Sequence, residues 1–172
     1  MHLAAKYHVC YTIVHMTQLE LKEAIKTAMK ARETVKLNVL RGILTMITND
    51  LVAKGRGPDG EITADEMLAV IVRASKQRKD SIEQFEKGGR PELAVAEKEE
   101  LAIIQTLLPA QMSQDEIVLA AKAKAAKLGI DLSTKLEAGK TGANKLMGML
   151  MKDLKGRADG TVVKAVVDNL FV

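Results

Sequence analysis

Gly139-Lys-Thr-Gly-Ala-Asn-Lys-Leu-Met-Gly-Met-Leu-Met-Lys-Asp-Leu-Lys-Gly-Arg-Ala-Asp-Gly160 is a stretch that glycines open, punctuate and close, with five cations between them. Leu146, Met149, Leu150 and Leu154 recur at helical spacing, while Lys145, Lys152 and Lys155 fall on or beside the opposite face. The spacing predicts a short helix near 144–154 and, after the Gly156–Gly160 break, a second near 161–170. Gly148 lies inside the first, where glycine costs roughly 1 kcal/mol against alanine. Its presence predicts close approach of another backbone, a partner or a phosphate. A helix start preceded by glycines holds anions through its free amides and dipole. Such ends are expected around 139–145 and 159–161, with the lysines either holding phosphates by charge or forming a plain solvated face.

Working outward, three capping boxes mark helix starts: Thr17 with Glu20, Thr63 with Glu66, and Ser113 with Glu116. Helices are predicted over about 17–32, 35–54, 63–87, from Pro91 to before Pro109, and 113–128 with Gly129 as its stop. A looser stretch is expected from there to Gly142. Leu37, Leu40, Leu44, Ile47 and Leu51 form the expected inward face of the second helix. Nothing from Met16 to Pro109 alternates with period two over a useful length, so the fold class is all-α. The Leu108-Pro-Ala-Gln-Met112 segment divides an N-terminal domain of about four helices, 16–109, from a small three-helix C-terminal domain, 110–172. Residues 1–15 hold Cys10, both tyrosines and all three histidines, and precede Met16 at the first capping box. They are expected to be an extension, unordered or the product of an upstream start codon.

Composition narrows the function classes. Only 2% of the 172 residues are aromatic, too few for the ring platforms on which single-stranded nucleic acid stacks. Formal net charge is +4, which permits an acidic partner without demanding one. From Gly139 onward six cations face three acids, whereas Glu92, Glu97, Glu99 and Glu100 make the fourth helix locally acidic. A single cysteine excludes an internal disulfide and suits a reducing, cytoplasmic setting. No apolar run reaches 18 residues, so no membrane span is expected. His8, Cys10 and His15 lack the paired spacing of a zinc site, so no metal is expected.

No catalytic constellation is visible. No histidine occurs after His15, so a Ser-His or Cys-His pair is excluded from Met16 onward. Gly139-Lys140-Thr141 lacks the upstream glycine of a nucleotide-binding loop, and no cofactor is expected. Arg41 and Arg78 fall on apolar faces of the second and third helices. Each is either a buried ion pair with a carboxylate nearby, Asp80, Glu83 or an acid of the fourth helix in the case of Arg78, or a site for an external anion.

Arg78-Lys-Asp-Ser-Ile82, Leu107-Leu-Pro109, Asn144–Met151 and Lys155–Gly160, in this order and at these separations, resemble the GatB/YqeY family. That family comprises YqeY-like proteins and the helical tail of the B subunit of the glutamine-dependent aminoacyl-tRNA amidotransferase, and the resemblance runs from Met16 to Val172. It implies a bacterial, cytoplasmic accessory protein of translation. Such a protein is related to a carbon–nitrogen ligase with glutamine as amide donor, and contacts tRNA without catalysing by itself. The matching positions for RNA are Lys140, Lys145, Gly148, Lys152, Lys155 and Arg157. Implied partners are tRNA or a tRNA-processing or amidotransferase protein, met by a monomer. A protein–protein adaptor using the acidic fourth helix and the basic C-terminal domain is the other reading.

Overall fold

The computed structural model describes residues 16–130, 132 and 136–171, without the side chains of 136–141. Residues 1–15, the expected extension, lie outside that set. The described residues form seven helices and no strand: α1 (Gln18–Lys30), α2 (Thr34–Ala53), α3 (Ala64–Lys87), α4 (Pro91–Thr106), α5 (Gln114–Leu128), α6 (Leu136–Asp153) and α7 (Gly160–Leu170). The chain divides into two compact units after Pro109.

Local chemistry starts and stops the helices. Thr17, Ser113 and Thr63 each accept from the third amide of their helix, and Glu20, Glu116 and Glu66 reach back to the cap amide. Pro91 occupies the first turn of α4, where its missing N–H costs nothing. Gly129 ends α5 with φ of 63°. Arg32, after α1, holds φ of 59°, a conformation that costs an L-residue about 1–2 kcal/mol.

In the first unit, Leu21 and Ala28 of α1 pack with Val39, Leu40, Ile43, Ile47 and Leu51 of α2, Met67, Val70 and Ile71 of α3, and Ile104 of α4. Each large side chain so buried contributes roughly 1.5–3 kcal/mol. The inward stripe of α2 is rotated from the expected one: Val39 and Ile43 are buried, while Leu37 and Leu44 are only half-buried. Apolar residues cover more than half the circumference of α2, so its neighbours choose which part faces in.

In the second unit, Ile117, Ala121 and Ala125 of α5 meet Leu146 and Leu150 of α6 and Val163, Val166 and Val167 of α7, closed by Leu154 and Phe171. Helix α6 begins at Leu136, eight residues before the expected start. Gly139 and Gly142, read as breakers, are helical. Propagating an existing helix costs little per residue, so two glycines at roughly 1 kcal/mol each do not stop it without a capping signal.

Candidate nucleic-acid interface

The longer α6 removes one expected anion site. Residues 139–145 are helix interior, so their amides are not free helix-end donors. The second expected end is filled from within: the Asp159 carboxylate accepts from the Thr161 amide at 3.0 Å and the Thr161 hydroxyl at 2.7 Å. With an acid already on that terminus, α7 has little attraction for a phosphate.

The solvent face of α6 is what remains. Leu146, Leu150 and Leu154 point into the core, and Lys145, Gly148 and Lys152 recur at intervals of three and four on the opposite side. All three are exposed. Neither lysine makes an ion pair among the described residues. A Cβ built on Gly148 meets nothing within 4 Å, so no part of the described fold accounts for a glycine there. The result is one helix position without a Cβ, with an exposed lysine about one turn away on either side.

The remaining basic candidates sit differently. The Lys140 side chain lies outside the described residues. Lys155 is exposed in the turn after α6. That turn is clipped to the start of the second unit: the Gln111 side-chain amide donates to the Gly156 carbonyl, and the Met112 amide donates to the Arg157 carbonyl, both at 2.7 Å. Gly156 is buried with φ of 76°, which favours glycine. Arg157 is exposed and close enough to Glu116 for its charge to help hold that carboxyl below the usual range, a contribution smaller than the Ser113 amide's. Its charge is therefore partly spent within the unit.

Two features escaped the sequence reading. Lys124 of α5 bridges to Asp153 of α6 at 2.6 Å, which locks the two helices together beside the basic strip. Between α6 and α7 lies a groove of about 300 Å³ with Ala143, Met147 and Val167 in its wall and the exposed Asn144, Met151, Lys164 and Asp168 around it. Lys164 is one of the six cations after Gly139, but only packing reveals which surface it joins.

The arginine candidates separate. Arg41 is exposed and makes no ion pair among the described residues, because the rotated α2 stripe turns it outward. Arg78 is held at 3.0 Å by both Glu97 and Glu100 of α4. Its side chain is 38% exposed, so the trio is half-open rather than buried. Two carboxylates on one guanidinium leave the cluster net negative, a poor receptor for an external anion. Glu100 and Arg78 line a cleft of about 330 Å³ that also contains Gly42 and Gln77.

Among the described residues no group of three or more His, Cys, Asp or Glu side chains could hold a metal ion. No described helix is long and apolar enough to cross a membrane.

Comparison with known proteins finds relatives of this sequence. "Altered inheritance of mitochondria protein 41, mitochondrial" of Vanderwaltozyma polyspora is 35% identical over 91 residues, 52% of this chain and 47% of the relative. The protein of the same name from Lachancea thermotolerans is 35% identical over 89 residues, 51% of this chain and 46% of the relative. The one from Pyrenophora tritici-repentis is 30% identical over 139 residues, 80% of this chain and 71% of the relative. The match thus spans about half the length of the first two relatives. The family description "Yqey-like protein" matches residues 18–171, nearly all of both units. The chain belongs to the YqeY-like protein family.

Proposed function

We propose that this protein is a non-catalytic RNA-binding accessory protein whose second unit grips the phosphates of structured RNA, tRNA by family resemblance. One observation carries the reading: the solvent-facing Lys145–Gly148–Lys152 strip, where two cations without an ion pair among the described residues flank a helix position without a Cβ. Such a surface lets a phosphate ridge approach the backbone closely and supplies charge on both sides without reading sequence. Charge distribution agrees. Residues 110–172 hold ten Lys and Arg against seven Asp and Glu, whereas residues 16–109 hold fifteen of each.

The link to glutamine-dependent amidotransferase chemistry belongs to the resemblance. In this reading the chain presents or retains tRNA for a partner enzyme and makes no bond itself. Its relatives carry mitochondrial names, and a chain with one cysteine suits the mitochondrial matrix as well as the cytoplasm. The adaptor reading loses part of its basis, since Glu97 and Glu100 of the acidic helix are occupied by Arg78.

The test is titration of a tRNA transcript at several salt concentrations. Lys145→Gln with Lys152→Gln is expected to weaken binding by roughly 1–3 kcal/mol and to flatten the log-affinity against log-salt slope by about two. Both residues are exposed, so the thermal midpoint should barely move. An unchanged affinity and slope would overturn the RNA reading and favour a protein partner.

A further inference from the structure

The groove between α6 and α7 adjoins the basic strip and has its own chemistry. Its wall is apolar, with Met147 half-buried and Met151 45% exposed. At its edge stand Asn144 from α6, and Lys164 and Asp168 one turn apart on α7. Lys164 and Asp168 have the spacing of a helical ion pair yet form none, and none of these three side chains makes a hydrogen bond among the described residues. Gly160 belongs to the same groove: a Cβ there would lie 2.8 Å from the Met151 terminal methyl, so only glycine leaves Met151 where it is.

We propose that this groove takes a guanine base, extruded from the RNA whose phosphates lie on the α6 strip. The proposal rests on the RNA reading above and adds a base contact to it. About 300 Å³ is ample for one nucleobase. Apolar side chains sandwich flipped-out bases, and methionine sulfur makes favourable contact with aromatic faces, which supplies stacking in a chain nearly without rings. The polar groups select the base. An ionised carboxylate only accepts hydrogen bonds. In a phosphate-binding surface Asp168 would be repulsive unless it met donors. The Watson–Crick edge of guanine offers two adjacent donors, N1–H and the N2 amino group, which one carboxylate takes in a bidentate pair. Lys164 or the Asn144 amide then donates to O6. Adenine presents an unprotonated N1 to the same carboxylate and is repelled; inosine keeps N1–H but loses the amino group.

The experiment uses the full chain with isotope-labelled methionine methyls. Guanosine monophosphate should shift the Met147 and Met151 methyl resonances, and adenosine monophosphate should not. An RNA hairpin with one unpaired guanosine should bind roughly tenfold more tightly than the same hairpin with inosine there. Asp168→Asn should abolish that difference while leaving the helical circular dichroism unchanged. Equal binding of both hairpins by the unaltered protein, with silent methyls, would overturn the groove assignment and leave the phosphate reading standing. Methyl shifts with the free nucleotide but no affinity for any RNA would keep guanine recognition and overturn the RNA source.

Discussion

Gly148 and Arg78 are single residues whose neighbours decide what they are for. Gly148 has open space where a Cβ would stand, so Gly148→Ala meets no steric objection within the described fold. It should stabilise the protein by about 0.5–1 kcal/mol through helix propensity alone. If a phosphate ridge rests on that strip, the same methyl weakens tRNA binding, so stability and affinity move in opposite directions. A melt and an RNA titration on one variant check this; a rise in both would mean that nothing approaches Gly148 closely. Arg78 is the converse case, tied at both ends to α4. Arg78→Ala leaves two half-buried carboxylates of α4 without their shared cation and should cost roughly 1–3 kcal/mol, between the values for exposed and buried pairs. Urea denaturation measures it, and tRNA affinity should not follow if Arg78 serves only the fold.

At the scale of helices, the ends were legible where the chemistry is local. Thr63 with Glu66 and Ser113 with Glu116 could be read as caps because each box is complete within four residues, and both form as read. The start of α6 could not, because Gly139 and Gly142 look like breakers and only continuation of the helix overrides them. The groove of α6 and α7 was equally hidden, since Asn144 and Asp168 are brought together by packing alone. The caps also set a pH dependence. Glu66 is held well below the usual carboxylate range, chiefly by hydrogen bonds from Arg56 and then Lys54. The Thr17 backbone amide lowers Glu20, and that of Ser113 lowers Glu116. A carboxyl lowered on folding stabilises the protein above its unfolded value of 4.5 and loses that contribution as pH falls through the folded value. The thermal midpoint should therefore hold near neutrality and decline below about pH 4.5. Glu66→Gln should lower it near neutrality, with the gap narrowing towards about pH 3. A gap of constant size would show that the charge contributes nothing.

For the whole molecule, charge and core divide along the same line. Residues 16–109 are formally neutral and enclose one hydrophobic cluster, while residues 110–172 carry the cationic excess around another. The second cluster is complete in itself: α5, α6 and α7 each contribute buried residues, and the Gln111 and Met112 clip closes the turn that carries Lys155 and Arg157. A unit of that size is marginal, since a domain of about 60 residues buries only about 60% of its unfolded surface. It should nonetheless fold alone, with a cooperative melt and a low midpoint. If the phosphate grip belongs to the α6 strip, residues 110–172 should bind tRNA with the same salt slope as the full chain, and residues 16–109 should bind weakly at most. The slope is the decisive quantity because it counts phosphates neutralised rather than overall affinity, which fraying of a small unit also lowers. A folded C-terminal fragment with a flatter slope than the full chain would move part of the phosphate contact into the first unit. The exposed Arg41 of α2, which makes no ion pair among the described residues, would then be the next place to substitute.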